Sequence, residues 1–324
     1  MTATLSPETL LHEMNRLWVD LAKPGSSETG MGVLRACSMT LVVMAEETDD
    51  ASALGETIAA LMPEHPARTI LVRFRKADGH ELAGRVFAQC WMPFGQRRQI
   101  CCEQIEITAS EAALRDVESV LGPVAAPDLP LIVWCRSSRV ARQAEFWEFA
   151  STADKVVVDT DAWPDAKSSI QRLASLTSRG IALGDFAWTR LTRWREMLSR
   201  VFENTQYAER LSEISRVRVR YDEATQPVMA RYMGSWLVNS LRETGVPTDL
   251  SLEPGSAVLS VELGGSGLRV ELVRRGDRLV TTVDQLSECT SLSQPTDYLL
   301  LREELGIVRR DPVFERTLAA AARL

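Results

Sequence analysis

The sequence predicts two domains: a mixed α/β domain over residues 1–165, then an α+β domain over residues 166–324. Three observations predict this. Through the first half, apolar runs of strand length alternate with stretches of helical period, the pattern of a largely parallel sheet flanked by helices. Past Pro164 the order changes to helices followed by short strands with tight turns, the pattern of a short-stranded antiparallel sheet. A chain of 324 residues is long enough to build two cores.

Each element has a local reason. Ser6-Pro7-Glu8 opens a helix, with Ser6 as cap and Pro7 in the first turn. Leu10, Leu11, Met14, Leu17, Trp18 and Leu21 recur on one face of it, and Lys23-Pro24-Gly25 stops it. Residues 24–32, rich in Gly and Ser, read as a loop. Ala36 to Ala45 is an apolar strand, and the polar Thr48-Asp49-Asp50 starts a helix through Leu61. His65-Pro66 ends that helix, and Thr69 to Phe74 is a second strand. Val86 to Met92 and Gln99 to Ile107 read as a hairpin turning at Pro93-Phe94-Gly95. Ser110 begins a helix closed by Gly122-Pro123. A strand at Leu131 to Cys135, a helix around Phe146 to Ala150 and a strand at Lys155 to Asp159 complete the first domain.

In the second half, Asp165 to Arg179 is helical, and so is Asp185 to Asn204, with helix expected to continue toward Ser215. Val217, Val219 and Tyr221 alternate as in a strand, and Pro227 to Arg242 is amphipathic and helical. Ala257 to Leu263, Leu268 to Arg274 and Arg278 to Val283 are short strands. Gly264-Gly265-Ser266-Gly267 and Arg275-Gly276-Asp277 are hairpin turns between them. Helices near 296–305 and 312–323 close the chain.

A net charge of −7 does not favour nucleic acid, which needs a clustered positive surface. The N-terminal segment has no basic stretch followed by an apolar run, and no segment reaches roughly 18 apolar residues. The expectation is a cytoplasmic protein with no membrane segment. Of six cysteines none forms a CxxC pair, and most lie in apolar runs, so buried reduced thiols are expected. Cys101 and Cys102 are where a redox-responsive thiol would be sought. As strand neighbours they face opposite ways and should not bond to each other.

Motifs for chemistry are sparse. The strand ending at Ala45 runs into Glu46, Glu47, Asp49 and Asp50, without glycines, and such a loop repels phosphate. Asp159-Thr160-Asp161 follows the strand Val156-Val157-Val158, where Asp-x-Asp phosphatases place nucleophile and general acid. A Mg²⁺-dependent sugar-phosphate phosphatase using Asp159 and Asp161 is therefore one reading, and turn-capping by the same carboxylates is the competing one. His12, His65 and His80 pair with no recognisable nucleophile or zinc motif. No catalytic residue, metal or cofactor is assigned, and the chain is read as a non-enzyme. Metabolite sensing, with a small-molecule effector, is a further alternative.

The segment Gly184 to Glu196 is the most informative. It places Trp188 and Trp194 beside Arg190, Arg193 and Arg195, the residue types that protein interfaces use as anchors. With Asp185 at its start, these are the candidate partner-binding residues. Trp188 competes between core and contact, and the arginines carry the contact reading. On that reading Arg190→Ala would weaken a complex and leave the fold intact.

Gly184 to Glu196 resembles the Asp-Leu-Ala-Trp-Thr-Arg-Leu-Thr-x-Trp-Arg signature of the OpcA family of glucose-6-phosphate dehydrogenase assembly proteins. Arg35 to Val43, His65 to Ile70, Cys101 to Ile105, Leu129 to Trp134 and Val156 to Asp161 resemble other family segments in the same order, over about residues 30–310. Phe186 stands where the signature has Leu, and Arg193 where Pro is common. The resemblance implies a non-catalytic partner that binds glucose-6-phosphate dehydrogenase and promotes its active oligomer in the oxidative pentose phosphate pathway.

Overall fold

The computed structural model describes residues 5–23, 33–77, 79–93, 98–255 and 259–324. The loop expected at 24–32, the Phe94-Gly95 turn and the first residues of the strand expected from Ala257 lie outside them. The chain divides into two compact units. One comprises Met1–Val158 with Leu305–Arg309, the other Asp159–Glu304 with Arg310–Leu324.

The first unit runs α1 (Pro7–Leu21), β1 (Val33–Arg35), β2 (Met39–Glu46), α2 (Ala51–Leu61), β3 (Ala67–Arg75), β4 (Leu82–Trp91), β5 (Gln99–Ser110), α3 (Leu114–Val124), β6 (Leu131–Cys135), α4 (Ala144–Ala150) and β7 (Lys155–Val158). Its strands lie in the order β1-β5-β3-β2-β6-β7, all parallel, with β4 antiparallel to β5. β2 is buried from Met39 through Ala45, as an unbroken apolar run must be in a sheet covered on both faces. The strand order reverses between β2 and β6, where open α/β sheets hold ligands beyond the strand ends. Here that crevice carries an internal network: Glu46 at the end of β2 accepts from the Ser137 hydroxyl and the Arg139 guanidinium.

A second buried network joins four elements to β5. Glu103, 3% exposed, accepts from Trp18 Nε1 at 2.6 Å and from Arg68 Nε at 2.5 Å, and pairs with Arg35. Arg68 also donates to the Val124 carbonyl at 2.7 Å. Segment 305–309 joins this unit through Lys155, whose buried Nζ donates to the Ile307 carbonyl at 2.7 Å.

The cysteines depart from the expectation of reduced thiols at one place. Cys90 and Cys101 oppose each other across β4 and β5, with Cα atoms 4.1 Å apart, and form a disulfide. Cys102, on the other side of β5, donates to the Ala36 carbonyl at 3.2 Å. Burial pushes its pKa up to about 11, so the thiol stays protonated. Cys37 is half-buried, Cys135 buried and Cys289 exposed.

The second unit runs α5 (Ala166–Ser178), β8 (Leu183–Asp185), α6 (Phe186–Thr189), α7 (Thr192–Glu203), α8 (Thr205–Ala208), β9 (Ile214–Asp222), α9 (Pro227–Glu243), β10 (Asp249–Gly255), β11 (Ser260–Gly265), β12 (Val270–Arg275), β13 (Arg278–Val283), β14 (Leu286–Ser291), α10 (Asp297–Leu305) and α11 (Pro312–Ala321). Its sheet has six strands in the order β10-β9-β11-β12-β13-β14. Four pairings are antiparallel, but β9, α9 and β10 form a parallel crossover. The sheet is thus mixed. β10 and β14 sit at its two edges with mostly exposed residues; β14 lacks the apolar alternation of the strands between them, and β10 keeps it only at Leu250 and Leu252. The helix expected from Asp185 to Asn204 breaks at Arg190-Leu191, between α6 and α7.

Both expected turns form. Gly276 has φ 61° in the two-residue loop joining β12 and β13, a conformation glycine adopts without strain. Gly265 sits at a register shift between β11 and β9, where an added Cβ would lie 1.9 Å from the Glu213 carbonyl oxygen. Gly265→Ala should therefore destabilise the second unit by about 1–3 kcal/mol, because backbone must move. Gly264→Ala, with open space around the added carbon, should cost under about 0.5 kcal/mol. Urea unfolding followed by tryptophan fluorescence checks the pair, and equal midpoints would contradict it.

Candidate functional site

Asp159 follows β7 directly, and a short 3-10 turn, Thr160–Ala162, comes next. Asp185 ends β8 and caps α6, its Oδ1 accepting from Ala187 N at 3.0 Å. The same oxygen accepts from Thr160 N at 3.1 Å. Its Oδ2 accepts from Thr160 Oγ1 at 2.5 Å and from Tyr232 OH at 2.8 Å. This carboxylate is fully buried, and four donors replace its lost hydration. Burial, aided by the nearby Asp159 charge, still pushes its pKa up to about 6, against the pull of those hydrogen bonds.

Arg190 sits one turn further on, at the break between α6 and α7. Its two terminal nitrogens each reach an oxygen of Asp159 at 2.7 Å, a bidentate pair, and NH1 also lies 3.4 Å from Asp161 Oδ2. The Arg190 side chain is 25% exposed, Asp159 23% and Asp161 14%. Oδ1 of Asp161 is buried and has no hydrogen-bond partner. Burial, with the Asp159 and Asp185 charges, pushes the Asp161 pKa up to about 8, so this carboxyl holds its proton at neutral pH. Both oxygens of Asp159 accept from Arg190, as the turn-capping reading of this motif expects.

The rest of the segment is spent inward. Trp188 is 3% exposed, and its indole nitrogen donates to Asp311 at 3.4 Å. Its ring packs against Tyr232 and Phe314, with centroids 6.3 and 5.7 Å away. The Arg195 guanidinium carbon lies 3.6 Å over the Trp188 ring centroid, a cation–π contact. Burial lowers the Arg195 pKa to about 10, still well above neutral. Thr189 Oγ1 bridges the Asp185 carbonyl and Glu304, and Trp194 is 3% exposed. Arg193 is the outward member, with its side chain 42% exposed and paired with Glu196 at 2.9 Å. Two clefts flank this segment. One, of about 490 Å³, is lined by residues that include Asp161, Arg190, Trp194 and Arg274. The other, of about 340 Å³, includes Arg193, Glu196 and Leu299. Among the described residues no group of His, Cys, Asp and Glu could hold a metal ion, and no helix is long and apolar enough to cross a membrane.

Sequence reasoning thus located the segment and missed its partners. Thr160, Tyr232, Glu304 and Asp311 are brought to it by folding. Thr160 lies in the Asp159-Thr160-Asp161 motif, and Asp311, before Pro312, is a helix cap; Tyr232 and Glu304 carried no local signal.

The chain thus combines an α/β unit with an α+β unit whose Asp-x-Asp turn is clasped by an arginine. Residues 58–175 match the family described as the glucose-6-phosphate dehydrogenase subunit N-terminal domain, and residues 181–318 its C-terminal domain. The chain belongs to this OpcA family of glucose-6-phosphate dehydrogenase subunits. It is 27% identical to OpcA of Synechocystis sp. over 209 residues, covering 64% of this chain and 42% of that protein. With OpcA of Nostoc punctiforme it shares 28% identity over 142 residues, 44% of this chain and 30% of that one. The chain therefore spans less than half the length of these relatives. Among solved structures it is similar to KijD10, a 3-ketoreductase from Actinomadura kijaniata, with a TM-score of 0.47, 12% identity, and coverage of 87% and 95% of the two chains. A dehydrogenase from Chromobacterium violaceum gives a TM-score of 0.49 at 11% identity, covering 88% and 93%. Likeness at this level carries nothing about activity.

Two outcomes test the electrostatics. The native state keeps the Asp161 proton up to about pH 8, whereas an unfolded aspartate releases it near the ordinary value of 3.8. In that window the native state binds more protons, so this group's contribution to stability falls as pH rises. Asp161→Asn should therefore be the more stable form at pH 8, by roughly 1–3 kcal/mol, with the gap closing toward pH 4. Urea midpoints at the two pH values check it, and a pH-independent gap would contradict it. Arg190→Ala leaves two carboxyls without their cation beside buried Asp185 and should cost about 2–4 kcal/mol. It thus perturbs the second unit itself and does not report on contact alone.

Proposed function

We propose that this protein is a non-catalytic partner of glucose-6-phosphate dehydrogenase that favours the enzyme's active oligomer, and so acts as an assembly factor and allosteric activator in the oxidative pentose phosphate pathway. The observation that carries the reading is the pair of family matches, each described as a domain of a subunit of that enzyme, which together reach from residue 58 to residue 318. The names of the curated relatives, which refer to the OxPP cycle, support the same pathway. The mechanism is differential binding: a partner that binds the active oligomer more tightly than the inactive form shifts the equilibrium toward it by the difference in affinity. The reading places the protein in the cytoplasm with its enzyme.

The contact surface on this reading centres on Arg193, on the exposed side of α7. Beside it are Glu196 and Leu299, a leucine that is 43% exposed. A partly exposed arginine next to an apolar side chain is the composition of an interface anchor. Trp188, Trp194 and Arg195 support that surface from beneath, because their own contacts are internal.

Purified protein mixed with the dehydrogenase from the same cell should co-elute with it and change its rate or oligomeric state. Arg193→Glu should weaken the complex by about tenfold or more, with unchanged circular dichroism, because it reverses a charge at the surface. No co-elution and no change in rate at micromolar concentrations would defeat the reading. Full affinity in the Arg193 variant would move the surface elsewhere.

A further inference from the structure

The cleft of about 490 Å³ in the second unit gathers polar groups that the fold leaves unused. Thr225, Ser293 and Gln294 line it and make no side-chain hydrogen bond among the described residues. Gln226 spends its carbonyl on Leu259 N at 2.9 Å, which leaves its amide N–H₂ free. Arg274 donates from Nε to the Gly276 carbonyl at 3.0 Å, and among the described residues its terminal nitrogens meet no carboxylate. Asp161 adds a buried carboxyl oxygen with no partner. The Asp161 side chain, 14% exposed, is part of the same cleft wall.

The wall chemistry narrows the ligand. The charges on Arg190 and Asp159 are paired with each other, so the uncompensated cation of the cleft is Arg274. A guanidinium with two free terminal nitrogens suits a phosphate or carboxylate. Around it stand two hydroxyls, two amides and a carboxyl, which exchange hydrogen bonds with hydroxyl groups. Trp194 lines the cleft at 3% exposure and offers no open aromatic face to a nucleobase, and among the described residues no glycine lines it to form a pyrophosphate nest. The volume falls in the range of small-molecule sites.

We propose that this cleft binds a phosphorylated sugar, with Arg274 on the phosphate and Thr225, Gln226, Ser293, Gln294 and Asp161 on the sugar hydroxyls. The proposal does not rest on the dehydrogenase reading, and it gives the protein a means of sensing metabolite supply.

Isothermal titration of the full chain decides the matter, with glucose 6-phosphate, ribose 5-phosphate, glucose and inorganic phosphate as separate probes. At least one sugar phosphate should bind saturably at one site per chain, and at least about tenfold more tightly than glucose or phosphate alone, since each lacks one half of the recognition. Arg274→Ala should weaken that binding by about tenfold or more, and Ser293→Trp should block it by filling the cleft, with circular dichroism unchanged in both. The proposal is overturned if neither sugar phosphate binds at about 10 mM. Equal affinity for inorganic phosphate would overturn it too, leaving an anion site only. So would undiminished binding in both variants, which would place the ligand elsewhere.

Discussion

The second unit is organised around one buried carboxylate. Asp185 is fully buried, and its four donors come from three places: the turn after β7, the first residue pair of α6, and α9 through Tyr232. Ionised carboxylate in a protein interior is costly unless its oxygens are satisfied, and removing any one donor would expose that cost. The bonds therefore set where the turn, α6 and α9 stand relative to each other. Once they are set, Arg190 is placed within reach of Asp159, and Trp188 against Tyr232 and Phe314.

Charge is handled in a chain of dependence from that point. Three carboxyl groups, Asp159, Asp161 and Asp185, lie close together with Arg190 as their cation. Like charges in a partly buried cluster do not all ionise, and the group that gives way is Asp161, which combines strong burial with a longer contact to Arg190 than Asp159 makes and lacks the four donors that Asp185 has. The turn is thus neutralised by one bidentate pair and one proton. Arg195 is accommodated differently: it lies over an indole face, where its charge is met by π-electron density. Of the residues that look like interface anchors in the sequence, Trp188, Trp194, Arg190 and Arg195 are spent inside the unit, and Arg193 faces outward.

Much of the fold was legible in the sequence. β2, β3, β6, β7, α2, α5, α9 and α11 each carry a cap, a period or an unbroken apolar run that acts over a few residues. β10 and β14 were not legible. They are edge strands, stabilised by pairing on one side and by ion pairs such as Arg218 to Glu253; β14 has no apolar alternation, and in β10 the alternation is confined to Leu250 and Leu252 before the turn residues Pro254-Gly255. The break at Arg190-Leu191 was hidden for a related reason: the helical period continues across it, and the ion pair to Asp159 accompanies a turn that local propensity does not mark. The Cys90–Cys101 bridge depends on the register of β4 against β5, and register is a property of the pair and not of either strand.

By itself the sequence determined the two-part α/β and α+β plan, the sparseness of catalytic motifs and the resemblance of the segment from Asp185 to Arg195 to the family's signature. These are local properties, because periodicity, capping and residue order act within a few positions. Only the tertiary structure decided which way that segment faces. Whether an arginine points to solvent or to a carboxylate about 30 residues earlier depends on which turns are folded together, and here Asp185 brings Thr160, and with it Asp159, to Arg190.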